Sequence, residues 1–226
     1  MKLLAIDTST EACSAALLIG DDIRARYELA PRRHAQLILP MVDELMNEAG
    51  LRPRDLDALA FGRGPGAFTG LRIAAGVIQG IAFGADLPVV PVSSLAALAQ
   101  GLCRERRVER VLAAVDARMG EVYWGVYRRD AEGRAAALDH DRLCAPTAVP
   151  ALEGGDWYGA GSGWQHYGEL LVARLGPAVR QWDGQRYPAA EDVAWLGAAG
   201  YARREAVPAD AALPVYLRDE VAIKGS

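Results

Sequence analysis

The sequence predicts a duplicated α/β fold, and three observations carry that expectation. Apolar, strand-like runs alternate with segments of helical periodicity along the chain. A short apolar run ending in an acid occurs twice, Leu3–Ile6 before Asp7 and Val111–Val115 before Asp116. The second occurrence falls about midway through the 226 residues, so each half opens in the same way. Sliding the chain by 109 positions without gaps places Ile6 on Val115 and Asp7 on Asp116. It also places Leu17 on Val126 and Asp21 on Asp130.

The elements follow in order. Leu3–Ile6, Cys13–Ile19 and Ile23–Leu29 read as a three-strand meander, with Gly20-Asp21-Asp22 as a turn. A helix is expected from about Arg33 to Ala49, with Gly50 as its stop and Pro40 placed to kink or break its first turns. Leu56–Phe61 reads as a buried strand and Gly62–Gly66 as a glycine-rich loop. A helix from about Thr69 to Phe83 and a strand at Leu87–Val92 follow. Ser93 or Ser94 can then cap a third helix ending near Leu102.

In the second half, Glu121–Arg129 reads as a strand, and Trp157–Gly163 as a strand running into a glycine turn. Trp164–Leu175 and Pro188–Arg204 read as helices, the latter opened by its proline. Charge rises and apolar periodicity stops near residues 103–110. The expected subdomains are therefore 1–105 and 106–226, with the last helix and tail as candidates to pack back on the first.

Composition narrows the function classes. About half of the residues are apolar and a quarter charged, and the net charge is −4. The densest basic stretch, Arg104, Arg106, Arg107 and Arg110, is interrupted by Glu105 and Glu109 and reads as a solvated segment rather than an RNA-binding stripe. Cys13, Cys103 and Cys144 have no metal-ligand spacing, and an odd count suits a reducing compartment. Asp7 cuts the first apolar run too early for a signal peptide, and no uncharged apolar run approaches the length of a membrane span. A cytoplasmic protein is expected.

Four stretches are candidate sites. Asp7-Thr8-Ser9-Thr10 offers backbone N–H groups, hydroxyls and a strand-end carboxylate, which can hold phosphate or Mg²⁺ or simply cap their own turn. Its echo at Asp116 lacks the close glycine that such a turn needs. Ala117, Arg118 and Met119 intervene before Gly120, and Arg118 can either contact phosphate or fill its space. Gly62–Arg72 leads from a strand into a helix without the ending of a phosphate-binding loop. The helix after it carries small residues, Ala74, Ala75, Gly76, Gly80 and Ala82, which favour close helix packing, internal or between subunits. Gly159 and Gly161 can pass close to an adenine or ribose or make a strand-to-helix turn. No metal site is expected: His34 has Ile38 four residues on, and His140 and His166 are isolated.

Asp7-Thr8-Ser9-Thr10, the Gly64–Ile73 stretch, Asp116–Tyr123 and the tail residues Tyr216-Leu217-Arg218 and Val221-Ala222 together resemble the TsaB (YeaZ) family over essentially the whole chain. The resemblance implies an actin/hsp70/sugar-kinase fold of two subdomains, each built on a mixed five-stranded sheet. It implies a non-catalytic relative of TsaD that lacks a metal-binding histidine pair. Such a protein pairs with TsaD through N-terminal helices, is joined by the ATPase TsaE, and forms homodimers when alone. The assembled complex uses ATP and Mg²⁺ to place threonylcarbamoyl on adenosine 37 of tRNAs that read codons starting with A, and tRNA is met only through that complex. The implied partner face uses Leu37, Met41 and Leu45 of the first helix, with Phe68, Thr69, Leu71, Arg72, Ala75, Gly76 and Gly80 of the second. A vestigial nucleotide loop would comprise Asp7, Thr8, Ser9, Asp116, Arg118, Gly159 and Gly161. The competing readings are an autonomous ATP-dependent small-molecule kinase, which Asp7 and the duplication support, and a metallopeptidase, for which no histidine pair or paired acids are present.

Overall fold

A computed structural model describes residues 1–218. Val221 and Ala222, part of the tail resemblance, lie outside the described residues.

The first half runs β1 (Lys2–Asp7), β2 (Ala12–Ile19), β3 (Asp22–Leu29), α1 (His34–Ala49), β4 (Ala58–Gly64), α2 (Phe68–Ala85), β5 (Val89–Ser93) and α3 (Ser94–Arg106). The sheet order is β3-β2-β1-β4-β5, with the meander antiparallel and β1, β4 and β5 parallel. The second half runs β6 (Arg110–Asp116), β7 (Val122–Arg129), β8 (Ala135–Ala137), β9 (Arg142–Cys144), β10 (Trp157–Ala160), α4 (Ser162–Leu175), β11 (Val179–Asp183) and α5 (Ala190–Ala202). Its order, β11-β10-β6-β7-β8, repeats that of the first half read from the other edge. β8 and β9 pair with the two ends of β7 on the side away from β6, so they share one edge position. This sheet therefore has six strands in five places.

The duplication holds for the acid-tipped strand but slips on the returning one. Asp7 pairs with Ser14, seven residues on, whereas Asp116 pairs with Val122, six on. The second turn is one residue shorter. Val126 faces Leu112 and is therefore equivalent to Leu18 rather than to Leu17, on the opposite face of the sheet. The second half also lacks a counterpart of α1, in whose place stands one short turn, Pro146–Ala148.

Each half covers the other's sheet. α5 packs on β1, β2 and β4, where Val193 and Ala194 join Leu3, Ala5 and Ala60. α3 packs on β6 and β7, where Leu98 and Leu102 join Val111 and Tyr127. α1 and α2 cover the other face of the first sheet, and their inward residues Ile38, Leu45, Ala74 and Ile78 are fully buried against Leu4, Leu59 and Phe61.

Several boundaries differ from expectation. Pro40 does not break α1: it sits on the solvent face, where water can serve the Gln36 carbonyl it leaves unbonded. Gly50 closes that helix at φ 64°, with its N–H donating to Asn47 and that of Leu51 to Met46. β4 runs on into the glycine-rich stretch and ends at Gly64. α3 is capped by Ser93, whose Oγ accepts from the Ala96 N–H at 3.2 Å, and continues to Arg106 because Leu102 and Cys103 stay buried. β8, β9 and β11 carry no period-two alternation of apolar residues that would announce them.

Candidate functional site

The two acid-tipped turns face each other across the boundary between the halves, and they differ in almost every physical respect. Asp7 is fully buried at the end of β1. The Ser9 N–H and Oγ donate to its Oδ1 at 2.9 and 2.8 Å, while Oδ2 has no partner among the described residues. Burial pushes the carboxyl up to about 6, against the pull of the two Ser9 bonds. Thr8 Oγ1 donates to the Gly70 carbonyl at 2.7 Å, and the Ala67 N–H donates to the Ser9 carbonyl at 2.7 Å. A Cβ on Gly62 would collide with the Asp7 carboxylate, one on Gly66 with the Ser9 carbonyl, and one on Gly70 with the Thr8 carbonyl. The glycine-rich stretch is thus packed into the turn. Asp7, Thr8 and Ser9 spend their polar groups inside the protein and present no side-chain surface to a ligand.

The second turn is open. The Asp116 N–H donates to Ser162 Oγ at 3.1 Å, and its Oδ1 accepts from the Arg118 N–H at 2.9 Å and the Tyr167 hydroxyl at 3.3 Å. Arg118 returns an ion pair to the other carboxylate oxygen at 3.1 Å and lies 3.8 Å from Glu11 of the first half. Arg118, Met119 and Gly120 are all in left-handed backbone, at φ 62°, 56° and 78°. Two consecutive non-glycine residues held there are strained. Met119 is 84% exposed. A cleft of about 310 Å³ separates the turns, lined by Thr10, Glu11, Asp116, Arg118 and His166 among others. Arg118 occupies the approach to Asp116 and is held by it.

Gly159 and Gly161 serve packing. A Cβ on Gly159 would strike the Trp164 ring, and one on Gly161, at φ 107°, would strike the Ala114 carbonyl. Trp164 lies between Trp124 and Trp182, with ring centroids 6.0 and 5.9 Å away, and its Nε1 donates to the Leu112 carbonyl at 2.9 Å. Neither glycine faces the cleft.

His34 opens α1 and is buried, and its neighbour one turn on, Ile38, lies in the core. Among the described residues no three His, Cys, Asp or Glu side chains gather closely enough to hold a metal ion. Cys13 and Cys103 are buried, which pushes their thiols up to about 11 and about 12. Three arginines of the basic stretch are spent on internal partners, Arg104 on Asp192 at 3.0 Å, Arg106 on Asp183 at 3.1 Å and Arg110 on the Gly155 carbonyl at 2.9 Å, while Arg107 is exposed.

The expected partner face divides in two. Met41, Leu45, Leu71 and Ala75 point into the core and are unavailable to a partner, and Leu37 is half-buried. The apolar stripe of α1 is simply its core face. Phe68, Thr69, Arg72, Gly76 and Gly80 are exposed. Among the described residues, nothing lies within 4 Å of where a Cβ would stand on Gly76, Gly80 or Gly84. Phe68, Arg72, Gly76, Gly80 and Gly84 form one i, i+4 row along α2, and Phe83 beside it is 67% exposed. At 18 residues α2 is long and apolar enough to cross a membrane by length and composition alone, although its inner face is packed on the sheet. Gly84 continues the four-residue spacing of Gly76 and Gly80 beyond the helix end expected from sequence, whereas Phe83 lies off that row and carried no such signal. Tyr216 and Arg218 belong to the tail expected to pack back on the first half, but the contacts they make are ones that no local pattern could supply.

Comparisons with known proteins converge. Residues 26–154 match the family model of TsaD, tRNA N6-adenosine threonylcarbamoyltransferase. The Escherichia coli K12 protein TsaB, a tRNA threonylcarbamoyladenosine biosynthesis protein, is 44% identical over 99% of this chain and 97% of its own. The Haemophilus influenzae TsaB is 40% identical over 99% and 96%. The solved structure of YeaZ from Pseudomonas aeruginosa superposes with a TM-score of 0.89 at 49% identity, covering 96% of this chain and 99% of that one. With the repeated strand order of its two halves, the chain has the duplicated actin/hsp70/sugar-kinase architecture, and it belongs to the TsaB family.

Proposed function

We propose that this chain serves tRNA threonylcarbamoyladenosine formation as a non-catalytic docking subunit, pairing with a TsaD-like catalytic paralogue and a TsaE-like ATPase in the cytoplasm. The observation that carries the reading is the row Gly76, Gly80 and Gly84, open to solvent beside exposed Phe83. A mid-helix glycine costs about 1 kcal/mol relative to alanine. Nothing among the described residues uses the close approach that three of them allow. A ridge of a second helix seated in that shallow groove does use it. The same face, unpartnered, suits a homodimer.

The closed first turn supports the non-catalytic part. Asp7 has no exposed oxygen, and Arg118 stands over Asp116, so neither acid is poised to hold a nucleotide's metal. ATP and Mg²⁺ are then used by the assembled complex, and tRNA is met through it.

Reconstitution tests this. The chain is mixed with the TsaD-like and TsaE-like proteins of its organism, ATP, Mg²⁺, a threonylcarbamoyl-adenylate source and tRNA, and modified adenosine is counted. Modification that requires this chain, with no turnover by the chain alone, is expected. Modification undiminished in its absence overturns the reading. Turnover of Mg-ATP by the isolated protein would instead favour an autonomous kinase.

A further inference from the structure

The segment after α5 crosses from one half of the molecule to the other. The Val215 N–H donates to the Arg63 carbonyl at 2.8 Å. The Tyr216 ring packs on Phe68 with centroids 5.4 Å apart, and its hydroxyl accepts from Arg72 Nε at 3.4 Å. The Arg72 guanidinium lies 3.9 Å over the Phe68 ring. Two residues on, Arg218 grips the second half. Its Nη2 donates to the Ala117 carbonyl at 3.1 Å and to Glu121 Oε2 at 2.6 Å, and its Nη1 lies 2.9 Å from Met119 Sδ.

Two facts give this connection meaning. Phe68 and Arg72 are the first two members of the i, i+4 row whose other three are the open glycines. A helix laid along Gly76, Gly80 and Gly84 therefore runs onto the residues that hold Tyr216. Val215 also lines the space between the halves on both of its sides, one cleft of about 310 Å³ and another of about 440 Å³. The segment partitions that space, and it ends on a turn whose backbone is already strained.

We propose that Val215–Arg218 is a coupling strap, through which a polypeptide seated on the outer face of α2 changes the Asp116–Glu121 turn and the cleft beside it. The inference rests on the docking reading above for the identity of that polypeptide, a TsaD-family chain. The coupling itself belongs to this chain. Arg72 and Phe68 are the input, Tyr216 transmits, and Arg218 is the output. Covering Arg72 changes what its guanidinium bonds, which loosens or tightens the hold on Tyr216. The turn is a responsive end point because its strained residues persist only while their surroundings fix them.

The test follows the turn directly. The amides of Ala117 and Glu121, bonded to Glu121 and Arg118 carbonyls at 3.0 and 3.1 Å, report its opening by hydrogen exchange. The Met119 methyl, one of four methionine methyls, reports it by NMR. In the isolated protein, Tyr216→Ala and Arg218→Gln are expected to speed those two amides about tenfold or more with the core amides unchanged. Rates unchanged in both variants overturn the strap. Adding the TsaD-family protein to wild type is expected to shift the Met119 resonance. Arg218→Gln should still bind it but no longer show that response. A turn that ignores bound partner in wild type, or responds equally in Arg218→Gln, overturns the proposal. If the partner does not bind wild type at all, the docking reading fails, and the Tyr216→Ala rates still decide the strap.

Discussion

The two halves share a strand order and an acid at the tip of the first strand, yet one turn is filled and the other is open. In the first half, Gly62, Gly66 and Gly70 let the chain press onto Asp7, Thr8 and Ser9 until no side-chain surface remains. In the second, a turn one residue shorter leaves Arg118 and Met119 outside in left-handed backbone. The helices that follow differ in the same sense. α4 buries its two glycines, Gly163 against Ala114 and Gly168 against Trp182, whereas α2 leaves three glycines facing solvent. A duplicated fold has thus kept its scaffold while its halves diverged. The first half closes its turn by internal packing and carries a bare outer helix face.

Substitutions can break this comparison, and the largest effect is expected where the first half is closed. Gly70→Ala would drive a methyl into the Thr8 carbonyl and should cost about 3 kcal/mol in urea denaturation. A loss of under about 1 kcal/mol would mean that the turn can relax and is not locked.

A comparable effect should appear with pH. Asp7 and Asp192 are both pushed up to about 6 by burial, from 3.8. The native state therefore binds these protons more tightly than the unfolded chain. Stability should fall as pH rises from about 4 through 6 and level off above, by up to about 3 kcal/mol per group as an upper bound. Asp7→Asn should flatten the slope between about pH 4 and 6. A slope of the same size in the variant would remove Asp7 from the account. Carboxyls held low by arginine partners, such as Glu105 and Glu205, lose their contribution only in more acid solution.

The smallest effect has the opposite sign. Gly80→Ala meets open space and should stabilise the isolated chain by about 0.8 kcal/mol, because alanine is the better helix former. Destabilisation would mean that the face is already covered in solution.

Much of the scaffold was legible in sequence because it obeys local rules. The repeated acid-tipped strand, the meander and the glycine stop at Gly50 all announce themselves through short-range chemistry. What was illegible depended on partners far along the chain. β11 exists because β10 offers it an edge, not because Val179–Asp183 alternates. Met41, Leu45, Leu71 and Ala75 were placed on a partner face because a resemblance names helices more readily than the side of a helix. Burial decided against them. On α2 the small-residue stripe read from sequence mixes buried Ala74, Ala75 and Ala82 with open Gly76 and Gly80, and only packing on the sheet separates them. The roles of Tyr216 and Arg218 needed contacts spanning about half the chain's length or more.

The outer face of α2 is proposed as a docking surface and not a structural one. Its most direct measurement is the affinity of Gly80→Trp for the TsaD-family protein, with the unfolding midpoint of the variant measured alongside. A midpoint close to wild type and binding weakened about 100-fold or more are expected, since the indole fills the groove a partner helix needs. Binding at wild-type strength by a folded Gly80→Trp protein would contradict it.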